Sequence, residues 1–267
     1  MTERSLKIHS HPAPNPNGGP PLLFVHGAYT HALCWQVNFI PWFTARGYDC
    51  HALDLSGHGQ SEGHDQLHEF GLADYAQDLK RAVDALGTSP VLVGHSMGTL
   101  VVQRYLSEGA AAGVALLAPV PPTGTVGSAA RLALSEPDFF AELPNVIGQT
   151  FTPKTLDVMA RVYFSPEMPR DNVEDYLPMI QNESDHAVAE MATLAFQPTL
   201  RRQRIPALVV NGREDRVFPP DMLFFTALPW QARQSVIDGA GHMLMLDPQW
   251  EEVATTLANW LEQHVAG

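Results

Sequence analysis

Val91-Leu92-Val93-Gly94-His95-Ser96-Met97-Gly98 decides how this chain is read. Three apolar residues run into a G-x-S-x-G pentapeptide, and a stretch from 96 to 106 that is apolar almost all round follows. By itself the pentapeptide arises by chance in about one chain in ten of this length, given the usual abundance of glycine. Its setting carries the weight: a buried strand, a tight turn, then a helix that other elements must cover. Glycines on either side let the backbone turn sharply and leave the serine side chain exposed.

The same strand and helix signals continue in both directions. Apolar runs at 22–26, 113–120 and 207–211 read as buried strands, with further candidates at 48–55 and 234–238. Between 72 and 86, Leu72, Tyr75, Ala76, Leu79, Ala82, Val83 and Leu86 form a helical stripe, with Asp74, Gln77, Lys80 and Asp84 on the wet face. Trp250, Val253, Ala254, Leu257, Ala258 and Leu261 repeat the pattern just after Pro248. Strands alternating with helices predict an α/β protein, with a mostly parallel central sheet covered by helices on both faces. The alternation stops near residue 120 and resumes near 204. Residues 121–203 show no convincing strand but carry helical stretches rich in large apolar side chains, too aromatic for a linker. The expected organisation is a core of residues 1–120 and 204–267 with an inserted helical cap, residues 121–203.

The chain has 267 residues, 45% hydrophobic and 17% charged, enough for a substantial core. Sixteen Lys and Arg against 29 Asp and Glu give a net charge of −13. Such a surface repels phosphate backbones and anionic headgroups, so neither nucleic acid nor stable membrane anchoring is expected. No apolar run suits a transmembrane helix or a secretory signal, and the two cysteines, Cys34 and Cys50, cannot make a disulfide framework. A soluble, cytoplasmic protein is expected; oligomeric state stays open.

A serine hydroxyl is a feeble nucleophile at neutral pH and needs a base within hydrogen-bond reach. Of 12 histidines, His242 stands out because Gly239-Ala240-Gly241-His242 follows the last strand candidate, at the carboxyl edge where ligand sites gather. The imidazole needs a carboxylate to hold its tautomer. Asp215 follows the strand at 207–211, with Glu214 as its local rival and Asp238 assigned a structural role. A tetrahedral oxyanion needs two preset N–H donors. Met97 supplies one, and Ala28, in the loop after the first buried strand, supplies the other. His26 reads as a scaffold residue. His64 and His68, four apart, lack the glutamate that a zinc-protease helix requires and read as a polar loop.

Taken together, His26-Gly27-Ala28, Asp54-Leu55-Ser56-Gly57-His58-Gly59-Gln60-Ser61, the nucleophile elbow Gly94-His95-Ser96-Met97-Gly98, Gly212 to Asp215 and Gly241-His242 resemble the α/β-hydrolase fold, specifically its capped esterase and lipase-like branch. The likeness covers nearly the whole chain outside the cap. It implies a structural role for the 57–61 loop. Some relatives carry the acid after the strand before the cap; Ala118-Pro119-Val120 has no carboxylate there, which favours Asp215. Thr99 departs from the family, where a second glycine is common. A serine nucleophile argues against haloalkane dehalogenases and epoxide hydrolases, which use aspartate.

The expected function is a serine hydrolase cleaving carboxylic esters of small to medium apolar acyl or aryl groups, with no cofactor and no metal. Ser96, Asp215 and His242 are the expected triad, Ala28 and Met97 the oxyanion hole, and Tyr29, Phe139, Phe140 and Tyr163 the candidate pocket. Lactonase, thioesterase and carbon–carbon bond hydrolase use the same triad. A cofactor-independent oxygenase or a ligand-binding receptor is a more distant alternative.

Overall fold

The computed structural model describes residues 4–193 and 204–265. Seven strands form one sheet: β1 (Ile8–His11), β2 (Leu22–Val25), β3 (Cys50–Leu53), β4 (Val91–His95), β5 (Gly113–Leu117), β6 (Ala207–Gly212) and β7 (Arg233–Ile237), in the order β1-β3-β2-β4-β5-β6-β7. All neighbours are parallel except β1, which lies antiparallel on β3 at the edge. Successive residues of a strand face opposite sides, and the core divides accordingly. Leu22, Phe24, Val91, Val93, Ala115 and Leu117 face one helical layer, and Leu23, Val25, Leu92, Val114 and Leu116 face the other.

The first layer holds α1 (Leu33–Gln36), α2 (Phe39–Thr44) and, from the far end of the chain, α11 (Trp250–His264). Phe24, Trp35, Phe39 and Phe43 pack ring against ring there, with centroids 4.9 to 6.3 Å apart. The second holds α3 (Leu72–Leu86) and α4 (Met97–Tyr105). The stripe expected at 72–86 falls on α3, and its buried face is Leu72, Tyr75, Ala76, Leu79, Ala82 and Val83, joined by Asp78. Burial of Asp78 has a stated cause, since its carboxylate accepts the Ser56 N–H at 2.8 Å.

β1 has no counterpart in the sequence reading. Three of the four residues in Ile8-His9-Ser10-His11 are polar, as an edge strand bonded on one side only is free to be. The expected strand at 48–55 is shorter in the structure, ending at Leu53, where Asp54 turns its carboxylate inward to accept the Ala32 and Gln60 N–H groups at 2.8 and 2.9 Å.

Between β5 and β6 the chain builds α5 (Val126–Ser135), α6 (Pro137–Ile147), α7 (Pro153–Tyr163), α8 (Arg170–Asp175) and α9 (Asp185–Thr193), with no strand among the described residues. The end expected for this segment, at 203, lies outside the described residues. Leu132, Phe139, Val158 and Val162 give it a small core of its own. A short α10 (Leu223–Ala227) joins β6 to β7.

Candidate active site

At the carboxyl end of β4 the chain turns sharply. Ser96 has φ 51° and ψ −119°, a left-handed backbone that a non-glycine residue adopts only under strain, as nucleophile elbows do. The flanking glycines are there for close approach. A Cβ on Gly98 would lie 2.5 Å from the carbonyl oxygens of Val25 and His26, and one on Gly94 would lie 2.6 Å from that of Gly98. The Ser96 N–H continues the ladder to Leu117 at 3.0 Å, and the Thr99 N–H and hydroxyl both donate to the Ser96 carbonyl, at 2.9 and 2.6 Å. Thr99 therefore ties down the elbow with its side chain. Ser96 is 8% exposed, and its hydroxyl takes no hydrogen-bond partner among the described residues.

The His242 Nδ1 lies 2.9 Å from Asp215 Oδ2. Asp215 Oδ1 accepts the Val217 and Phe218 N–H groups at 2.9 and 2.8 Å, so the carboxylate is held by backbone on one side and presented to the imidazole on the other. Glu214 is exposed, and Asp238 is exposed and paired with Arg213; neither competes. The His242 backbone is fixed at both ends. Its N–H donates to the Tyr163 carbonyl at 3.0 Å, and its carbonyl accepts the His95 Nε2–H at 3.0 Å, which ties it to the residue before Ser96. The imidazole sits among His95, Phe218 and Tyr163, with ring centroids at 4.9, 5.3 and 6.1 Å. Burial first, then His242, holds His95 well below the ordinary histidine range, so His95 is neutral, with its proton on Nε2.

The N–H groups of Ala28 and Met97 donate to no protein acceptor among the described residues. His26 orients the first of them. Its Nε2 accepts the Leu55 N–H at 3.2 Å, which leaves the proton on Nδ1 to donate to the Gly27 carbonyl at 2.8 Å. Gly27 C=O and Ala28 N–H belong to one planar peptide and point opposite ways, so fixing the carbonyl aims the N–H. Burial, then the neighbouring His58, pushes His26 down to about 3. Tyr29, the next residue, also has a left-handed φ of 61°, and its carbonyl accepts the Gln181 N–H at 3.1 Å.

A cavity with about 560 Å³ of empty space, part of it open to solvent, is lined by Ala28 and by Met243, the residue after His242. Tyr29 and Tyr163 line it, with Phe164, Tyr176 and Met179, and no charged residue does. Phe139 and Phe140 do not line it. Phe139 points into the small core between α6 and α7, edge-on to Tyr163 at 5.9 Å, and Phe140, next to it on α6, is 41% exposed. His64 and His68 sit on a 3-10 turn at 64–69, where His68 Nδ1 lies 3.2 Å from Asp185. No group of three or more His, Cys, Asp or Glu among the described residues is placed to hold a metal. No described helix is long and apolar enough to cross a membrane.

A mostly parallel sheet with the elbow, the histidine and the carboxylate at its carboxyl edge defines an α/β hydrolase. The chain belongs to the alpha/beta hydrolase family, whose model matches residues 22–256. It is 28% identical over 225 residues to a bifunctional esterase/perhydrolase of Acinetobacter calcoaceticus, covering 76% of this chain and 77% of that one. A non-heme chloroperoxidase of Streptomyces lividans is 27% identical over 217 residues, with the same shares covered. Among solved structures, an esterase from Exiguobacterium antarcticum superposes with a TM-score of 0.75 over 97% of this chain and 96% of that one; at 18% identity the likeness is one of fold.

Proposed function

We propose that this hydrolase cleaves carboxylic esters of small to medium apolar acyl or aryl groups through an acyl-enzyme on Ser96. The observation that carries this reading is the 2.9 Å bond from His242 Nδ1 to Asp215 at the elbow edge, beside two N–H groups with no protein acceptor among the described residues. Asp215 fixes the tautomer that leaves His242 Nε2 free to act as base. His242 takes the Ser96 proton as Oγ attacks the acyl carbon, and Ala28 and Met97 N–H stabilise the oxyanion. The tetrahedral intermediate collapses, the alcohol leaves with the proton from His242, and water enters by the reverse route. The helical segment acts as a cap over the cavity, whose uncharged lining suits a neutral apolar substrate.

The test is hydrolysis of p-nitrophenyl esters from acetate to dodecanoate by the protein and by Ser96→Ala. Turnover with a chain-length optimum, lost in the variant, is the expected result; undiminished turnover by Ser96→Ala overturns the assignment. The likeness to the bifunctional esterase/perhydrolase of Acinetobacter calcoaceticus supports a second acceptor. Hydrogen peroxide in place of water attacks the acyl-enzyme and releases a peracid with the Ser96 hydroxyl restored. Peracid formed in the same assay with added peroxide, and absent with Ser96→Ala, is the corresponding outcome.

A further inference from the structure

Two hydroxyls in the cavity have nothing to do in the fold. Tyr29 and Tyr163 both line it, and among the described residues neither hydroxyl makes a hydrogen bond to protein. Tyr176, on the same wall, is different: its hydroxyl donates to the Leu246 carbonyl at 3.2 Å. The backbones of the two tyrosines adjoin the site at two different points. Tyr29 follows the oxyanion donor Ala28, with its left-handed backbone held by Gln181. Tyr163 ends α7, and its carbonyl holds the N–H groups of His242 and Met243 at 3.0 and 2.9 Å. Tyr29 stands close enough to Tyr163 to act on it electrostatically.

The rest of the lining decides what these hydroxyls cost. It is aliphatic, aromatic and thioether, without a charge. An all-hydrocarbon ligand filling the cavity displaces water from both hydroxyls and offers nothing in return. A hydroxyl stranded in this way keeps its desolvation cost, which largely cancels the gain from burying a few methylenes. Burial also keeps both phenols neutral, raising them above the ordinary tyrosine range. They offer a donor and an acceptor each, and no charge to pair with a carboxylate or an ammonium.

We infer that Tyr29 and Tyr163 form a polar subsite that selects substrates whose apolar body carries a neutral oxygen: a hydroxyl, an ether or a ketone. This deepens the ester reading and rests on the cavity being the substrate site. The favoured class is therefore a neutral oxygenated ester rather than a plain alkyl one, and ionic substituents are rejected.

The test uses probes that are not turned over, so it stays informative even if the esterase reading fails. Dissociation constants of 2-phenylethanol, its near-isostere propylbenzene and phenylacetate are measured for the protein, Tyr29→Phe, Tyr163→Phe and the double variant. The preference for the alcohol over the hydrocarbon should fall about three- to tenfold in each single variant, with propylbenzene binding unchanged or tighter. Phenylacetate should bind more weakly than the alcohol throughout. The same preference in all four proteins overturns the subsite, as does no binding of any probe or tighter binding of the anion. Thermal unfolding of the variants completes the set: these hydroxyls hold nothing in the fold, so a large loss of stability in either single variant also counts against the inference.

Discussion

His26 is a histidine that exchanges no proton near neutral pH, and its worth lies in where its two nitrogens point. With Nε2 accepting from Leu55 and Nδ1 donating to the Gly27 carbonyl, it locks the peptide whose other end is the Ala28 N–H. Held down at about 3, it keeps this tautomer across the working pH range. Replacing His26 by Ala frees the Gly27 carbonyl and lets the peptide tilt. Removal of a whole oxyanion donor costs roughly 10²–10³ in kcat; a misaimed one should cost about tenfold or more, in kcat rather than KM, because the interaction matters only once the oxyanion forms. Steady-state kinetics on one short-chain ester, at a temperature where both proteins are folded, checks this. A rise confined to KM would mean that residue 26 shapes the pocket instead.

At the scale of elements, the loop after β7 is mounted on the helical segment as much as on the sheet. Asp247 Oδ2 accepts the Gly241 N–H at 3.1 Å and the Ser165 N–H at 2.8 Å, so one carboxylate joins the residue before His242 to the end of α7. There is no room for anything else at this crossing, since a Cβ on Gly241 would lie 2.5 Å from the Phe164 carbonyl carbon. Asp247→Ala leaves two buried N–H groups unpaired, at about 1–3 kcal/mol each, and loosens the base. Asp247→Asn keeps a side-chain oxygen as acceptor and should restore most of the loss. Faster hydrogen exchange at 239–246 and 164–166 together in Asp247→Ala, with kcat reduced, is the expected pattern; exchange rising at one segment alone speaks against a shared mount. None of this was legible in the sequence. The elbow and the stripe of α3 are local patterns, carried by residues near one another in the chain, and Asp215 and His242 were each read from the few residues around them after a strand. Asp247, His95 and the Tyr163 carbonyl act across separate elements and leave no periodicity to read. Phe139 and Phe140 show the same limit, because an apolar residue in a helical segment can face that segment's own core or solvent as readily as a cavity.

For the whole molecule, the buried histidines set how stability varies with pH. His26 and His95 are fully enclosed and held below the ordinary value of 6.5, His26 at about 3 and His95 well below 6.5, by burial first and then by a neighbouring imidazole. The unfolded chain protonates both near 6.5 while the folded chain does not, so it binds more protons and stability falls as pH drops below that value. Each group contributes a slope approaching about 1.4 kcal/mol per pH unit, extending down to about 3 for His26. His58 works in the opposite sense. Burial lowers it, but Glu183, 3.1 Å away with both side chains fully enclosed, outweighs that and raises it. Its contribution is complete below 6.5 and is lost as pH rises through the elevated folded value. Glu183 itself is lowered by His58 against its own burial, so its share is present above the ordinary 4.5 and lost as pH falls through its folded value. These slopes place the stability maximum near neutrality, with the steeper fall on the acid side, where two histidines act together and the His58 contribution is already complete. Urea unfolding at half-unit steps from pH 4.5 to 9 measures the curve directly. The double variant His58→Gln, Glu183→Gln should flatten the alkaline limb and leave the limb between 6.5 and 5 in place, since His26 and His95 are untouched. Stability constant from pH 7 down to 4.5 would mean that the two histidines are protonated in the folded protein, and the fixed tautomers argued for the oxyanion peptide and for the His242 carbonyl would fall with it.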